Sequence, residues 1–262
     1  MQRIIRLAKT FFLVYYAYML EYRAELFLWA LSNSLPLIFL GIWVEASSTS
    51  DFALTSGEFA RYFIAVFLVR QFNVVWVIWE FETQVVEGKL SPKLLQPLDP
   101  VWHHVAAHIA EKIARLPFVI GLILFCFTLY PQAIFLPNLV NVLLCVLVVV
   151  LGFMLRFLIQ YSFALLAFWL ERVAAIEQVW YLCYSFTSGL IAPLAVFPDR
   201  VSEIILWTPF PYFIYIPAAL LVGLPVDIVR SLLVMCGWTI LVFAINRWLW
   251  RQGLQRYSGM GA

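Results

Sequence analysis

Apolar runs long enough to cross a bilayer recur from Leu26 onward, and they leave this chain few folds to choose from. An α-helix crosses the hydrocarbon with about 20 residues, and only helices or closed barrels satisfy every backbone group there. The runs are continuous rather than alternating, so helices are expected and a barrel is not. Of the 262 residues, 64% are hydrophobic and 12% charged, more apolar surface than one soluble core can bury. The net charge of +2 gives no footprint for nucleic acid. The cysteines, Cys126, Cys145, Cys183 and Cys236, stand singly in apolar runs and read as small core residues.

The chain opens with Arg3, Arg6 and Lys9 at a three-residue spacing, interleaved with apolar residues and followed by Tyr15, Tyr16 and Tyr18. No small-residue cleavage site follows, so an interfacial helix fits better than a signal peptide. A first span is expected from Leu26 to Val44, with Pro36 and Gly41 permitting a kink, and it ends in the polar turn Glu45 to Asp51. The second span, Glu58 to Trp79, carries Arg70, Gln71 and Asn73 inside it. At about 1.5 Å per residue Arg70 lies roughly 18 Å deep. An arginine there must face protein or water. At 100° per residue Arg70, Asn73 and Glu80 share one sector of the helix and form a polar stripe, either a translocation lining, a subunit contact or a structural ion pair.

The longest polar interruption, EFETQVVEGKLSPKLLQPLDP at residues 80–100, must leave the bilayer and fold at its surface. Pro92 and Pro97 set corners, while Leu90, Leu94 and Leu95 offer an apolar plug ringed by Glu87, Lys89 and Lys93. Gly88 is a further helix-breaking residue of the same stretch. Apolar anchors inside a charged rim suit a docking site, so this stretch reads as the handle by which a cytoplasmic partner grips the protein.

A third span is expected from Ile113 to Leu129, and Pro131 and Pro137 bracket a short turn after it. The run from Asn138 to Leu170 would reach about 50 Å as a helix, so it is either tilted or broken near Gly152. Glu171 and Arg172 mark a tight turn before a fifth span from Val173 to Ala192. Prolines then recur at 193, 198, 209, 211, 217 and 225 in a segment that stays apolar. Each removes a backbone donor, and broken backbone at membrane depth needs shelter by protein or a cavity. Short helical arms dipping into the outer leaflet are expected there, then a last span from Val226 to Trp248 with the basic tail Arg247, Arg251 and Arg256.

The basic residues divide unequally. The two termini, the residue 80–115 stretch and Arg172 hold most of them, and the other side holds only Arg61, Arg200 and Arg230. The positive-inside rule then places both termini and the surface loop in the cytoplasm, which requires an even number of crossings. No domain boundary or internal repeat is evident, so residues 1–262 read as one transmembrane domain.

Three stretches resemble the permease subunits of ABC-2 exporters, and more narrowly the bacterial ABC-2 family transporter permeases. They are EGKLSPKLLQPLDP at 87–100, GLIAPLAVFPDRV with PFPYFIYIPAALLVG at 189–223, and WRQGLQRYSGMGA at 250–262. The resemblance implies an all-α protein of six transmembrane helices in the bacterial cytoplasmic membrane, with an N-terminal interfacial helix. It implies a cytoplasmic coupling helix between spans 2 and 3 that inserts into an ABC ATPase subunit. It also implies extracytoplasmic re-entrant helices between spans 5 and 6 that close an outer gate, carried here by Pro193, Pro198, Asp199, Pro209 and Pro211. A second permease copy or a homologous permease would complete the path, surrounded by membrane lipid.

A nucleotide site needs a Gly-rich phosphate loop, and Gly88-Lys89 is followed by Leu90 with Thr at position 83, so no such loop exists here. ATP and magnesium are expected on the partner ATPase, with no cofactor and no catalytic residue on this chain. His104, His108 and Glu111 share a helical face beside His103, which suggests either interfacial polar residues or a small metal site. The aromatic residues make up 18% of the chain, and Trp76, Trp79, Tyr181 and Tyr184 either line a path for amphipathic cargo or face lipid. The alternative functions are a membrane scaffold and a membrane-embedded transferase.

Overall fold

The computed structural model describes residues 2–49 and 52–257, with side chains from residue 6 onward. Asp51, the end of the expected polar turn, residues 258–262 of the tail and the Arg3 side chain lie outside the described residues. Helix is the only extended regular structure among the described residues, and five stretches are long and apolar enough to cross a membrane: Arg23–Thr49, Ser56–Val86, Val101–Leu129, Leu139–Phe168 and Ile228–Tyr257.

Helix α1 (Gln2–Glu21) lies along α7 (Val101–Leu129), where Tyr15 Oη and His103 Nδ1 are 3.0 Å apart and Phe11 meets the same imidazole edge-on. The expected first span is two helices, α2 (Arg23–Ser32) and α3 (Leu35–Thr49), split at Asn33 and Ser34 rather than kinked at Gly41. Pro36 sits in the first turn of α3, where its missing N–H costs nothing, so the break falls ahead of it. Residues 45–49, expected as a turn, continue α3.

The second span is likewise two helices, α4 (Ser56–Asn73) and α5 (Val77–Val86), separated by the non-helical Val74–Trp76. Thr55 and Glu58 start α4 with a reciprocal capping box that satisfies two orphan N–H groups. Most of α4 is buried: Phe59, Tyr62, Phe63, Val66 and Val69 form the centre of the larger core, with α3 and α8 (Leu139–Leu165) against it. Helix α8 runs through Gly152 without a break and tightens into a 3₁₀ turn at Leu166–Phe168. Its length is therefore carried by one helix whose C-terminal turns, Tyr161, Ala164 and Leu165, are buried in a second apolar cluster with Phe168.

Helix α7 begins at Val101, twelve residues ahead of the expected Ile113, which draws the polar run 103–115 into the bundle. The fifth expected span is the 14-residue α9 (Ala174–Thr187), shorter than a full crossing needs. The proline-rich segment forms only short pieces: 3₁₀ turns at Leu194–Val196 and Phe210–Phe213, α10 (Asp199–Ile205) and α11 (Tyr215–Val222). The last helix, α12 (Ile228–Tyr257), extends through Arg247, Arg251 and Arg256, so the basic tail up to Tyr257 is helical.

Candidate functional site

The polar residues gather where the second span breaks. Neither Gly nor Pro occupies Val74–Trp76, so the interruption has to be held from outside, and α7 holds it. Lys112 Nζ donates to the freed Val74 carbonyl at 2.9 Å, and the Trp76 N–H donates to His108 Nε2 at 3.0 Å. His108 Nδ1 donates in turn to the His104 carbonyl at 2.7 Å, and since a carbonyl only accepts, the imidazole is the neutral Nδ1–H tautomer. The Trp76 indole N–H donates to Glu111, whose carboxylate pairs with Arg115, and Arg115 donates to Gln71 Oε1 at 3.2 Å back on α4. Trp76 also stacks on His108 with centroids 4.3 Å apart.

His104, His108, Glu111, Lys112 and Arg115 fall at i, i+4, i+7, i+8 and i+11, one face of α7. All are at least nine-tenths buried. They are thus buried rather than exposed, and they form the latch on a broken helix. Among the described residues no group of three His, Cys, Asp or Glu side chains is placed to hold a metal ion.

The break separates the three residues of the expected stripe. Arg70, 7% exposed, donates to Tyr181 Oη on α9 at 3.3 Å. Asn73 donates to the Phe213 carbonyl at 2.7 Å, in the proline-rich segment. Glu80 lies on α5 and faces the surface loop: His104 Nδ1 is 3.0 Å from its Oε2, Gln84 donates to Oε1 at 2.9 Å, and Lys93 Nζ stands 3.9 Å away. A continuous helix would have put these groups on one line; the change of direction at Val74–Trp76 sends them to three different neighbours. Of the aromatic candidates, Trp76 belongs to the break, Trp79 is exposed, Tyr181 meets Arg70, and Tyr184 lies buried under the Arg156 guanidinium at 4.3 Å.

The surface loop is built on α5. Gly88 turns the chain at φ +71°, a left-handed conformation that glycine adopts without strain. Ser91–Leu94 then form a single helical turn, α6, with Pro92 in its first turn. Leu90 is fully buried among Phe81, Val85, Tyr161, Phe168 and Tyr257, so it anchors the loop inward instead of joining an exposed plug. Leu94 is half-buried, while Leu95 is 88% exposed. Pro97 and the Glu87–Lys89 ion pair of the same loop are exposed as well. Burial pulls the Lys93 ammonium below the ordinary lysine range, and Glu80 opposes that shift. The loop is tied to α12 as well: Ser91 Oγ and Tyr257 Oη are 3.1 Å apart, and Arg247 donates to Asp99 at 3.1 Å.

At the other end of the bundle the expected gate residues sit where helical turns start. Pro193 and Pro209 precede 3₁₀ turns, Pro198 caps α10, Asp199 occupies its first turn, and Pro211 lies within Phe210–Phe213. This segment is held by side chains reaching its backbone. Tyr62 donates to the Gly189 carbonyl at 2.8 Å and Trp43 to that of Ile191 at 2.8 Å.

Sequence reasoning missed the latch residues Gln71, Lys112 and Arg115, and it left Trp76 as a possible path residue. The usable signal was the i, i+4, i+8 spacing of polar groups inside an apolar helix, which requires a buried polar partner. A comparison with the curated proteins finds no match. The sequence model described as "ABC-2 family transporter protein" matches residues 37–261, which takes in the broken second span, the surface loop and the proline-rich segment, and the chain belongs to that family.

Proposed function

We propose that this protein is the transmembrane permease subunit of an ATP-driven exporter, moving a hydrophobic or amphipathic substrate across the bacterial cytoplasmic membrane by alternating access. ATP and magnesium reside on a separate ABC ATPase subunit, and a second copy or a homologous permease completes the path. Six crossings put both termini and the surface loop in the cytoplasm, with α9 and the residues after it forming the fifth. The excess of basic residues at that end supports this orientation. Residues 87–97 are the coupling element, and the proline-rich segment is the outer gate.

The observation that carries the reading is the construction of the loop. Leu95 projects outward from a turn whose neighbouring Leu90 is locked in the core, which is what a part needs if it is to receive a push without bending away. Lys93 and Glu80 lead from that turn to His104, and so to the latch on the α4–α5 break. A shift of the loop on nucleotide-driven closure is passed to a helix already interrupted at the residues that must change direction. Arg70 and Tyr181, on α4 and α9, then contribute to the path between paired permeases.

Co-purification tests this directly. Leu95→Asp places a charge where the apolar contact is needed and leaves the buried Leu90 anchor alone. The expected result is a folded permease that no longer retains the ABC ATPase subunit that co-purifies with the unsubstituted protein. Unchanged retention removes the docking role.

A further inference from the structure

A cavity of about 650 Å³ lies between α1 and α2 on one side and the α4–α5 break on the other. Tyr18, Tyr22, Trp29 and Trp76 contribute aromatic rings to its wall, and Glu25 and Glu80 contribute carboxylates, that of Glu80 already shared with His104, Gln84 and Lys93, while no lysine, arginine or histidine lines the cavity itself. Tyr18 and Tyr22 stand with ring centroids 4.9 Å apart, tilted by 47°. Glu25 makes no ion pair among the described residues. Aromatic faces attract a cation through their quadrupole, and a carboxylate at the rim adds Coulomb attraction, so the chemistry of this wall is that of an ammonium cage.

The rest of the setting is lipid-like. Val14, Met19, Leu26 and Ala107 continue the wall as apolar surface. Leu13, Leu20, Phe27, Leu28 and Leu31 are exposed on the other faces of the same two helices, α1 and α2. A soluble cation would find a cage but waste the apolar wall. A phospholipid with an amine headgroup uses both.

We propose that this cavity holds the ammonium headgroup of a cytoplasmic-leaflet phospholipid, with phosphatidylethanolamine as the species it takes. The proposal rests on the permease reading in assigning this end of the bundle to the cytoplasmic leaflet and in taking the α4–α5 break as a moving joint. The headgroup touches Trp76, which spans the break, and Glu80, which carries the link from the surface loop. A bound lipid therefore sits against the moving joint and biases its position. Its near wall, α1 and α2, precedes the residues matched by the family, while its far wall lies within them.

The test uses the full chain in nanodiscs of equal parts phosphatidylethanolamine and phosphatidylglycerol, extracted into mild detergent, with retained lipids identified by native mass spectrometry. The intact protein is expected to retain phosphatidylethanolamine over phosphatidylglycerol. Glu25→Gln, Tyr18→Ala and Trp29→Ala, all at exposed positions that leave the bundle packing alone, are each expected to weaken retention about three- to tenfold. Choline chloride in the buffer is expected to compete. Equal retention of the two lipids, or retention unchanged in the three variants together, overturns the proposal. So does binding of choline by a protein that retains no lipid, which would make the site one for a free organic cation. The ATPase readout is separate: lipid retention without ATPase binding sinks the exporter reading alone, and ATPase binding without lipid preference sinks this proposal alone.

Discussion

The two ends of the bundle both interrupt their helices, but by opposite means. At the loop end the break at Val74–Trp76 contains no proline or glycine, and charged and polar side chains from α7 hold it open. At the proline end the chain is broken by its own residues, and the pieces are held by side chains donating to their backbone and by tight packing. Gly189 illustrates the second kind: its φ is +88°, and a Cβ there would stand 2.6 Å from Tyr62 Oη and 2.8 Å from Tyr215 Cβ. A break held by side chains can be shifted by moving one partner. A break written into the backbone stays where it is. The loop end is thus the adjustable joint, and the proline end is one whose break points are fixed in the chain.

The contrast can be broken most sharply at Arg115. Arg115→Met leaves Glu111 buried without its ion-pair partner and is expected to cost about 3–5 kcal/mol, read as a lower unfolding temperature in detergent. Glu111→Leu combined with Arg115→Met should recover most of that loss, because no lone charge remains. If the double variant is no better than the single one, the latch depends on more than charge pairing.

At the fixed end the sensitive quantity is space. Gly189→Ala is expected to cost about 1–3 kcal/mol through left-handed strain and overpacking. Size-exclusion recovery and thermal unfolding check it, and a neutral result would mean that this end yields as easily as the other. Asn73 joins the two regions by its bond to the Phe213 carbonyl. Asn73→Leu should cost about 1–2 kcal/mol by leaving that buried carbonyl unpaired. The smallest effect on stability, within about 0.5 kcal/mol, is expected for Leu95→Asp, since the site is exposed, although it is the variant expected to abolish ATPase retention.

Much of this was legible in the sequence and some was not. The apolar runs identified the membrane class and the five long stretches, because span length is a local property. The exposed part of the surface loop was legible for the same reason, since Gly88, Pro92 and Pro97 are local turn signals. The break in the second span was not. Val-Val-Trp carries no breaker, and its partners lie more than thirty residues away on α7. Leu90, Leu94 and Leu95 looked equivalent on paper; only the position of Tyr161, Phe168 and Tyr257 decides that Leu90 turns inward. The charged face of α7 was noticed at His104, His108 and Glu111. Its purpose was hidden because the helix begins earlier than its apolar run does.

The attachment of the surface loop to Tyr257 and Arg247 has a mechanical meaning. The loop is fastened at once to α5, to α7 and to the far end of α12, so these elements resist a load in parallel and their stiffnesses add. A force on Leu95 would not bend a flexible strap; it would load a frame of three helices. Tyr257 in the last turn of the final helix, 166 residues along the chain from Ser91, is then part of the same lever.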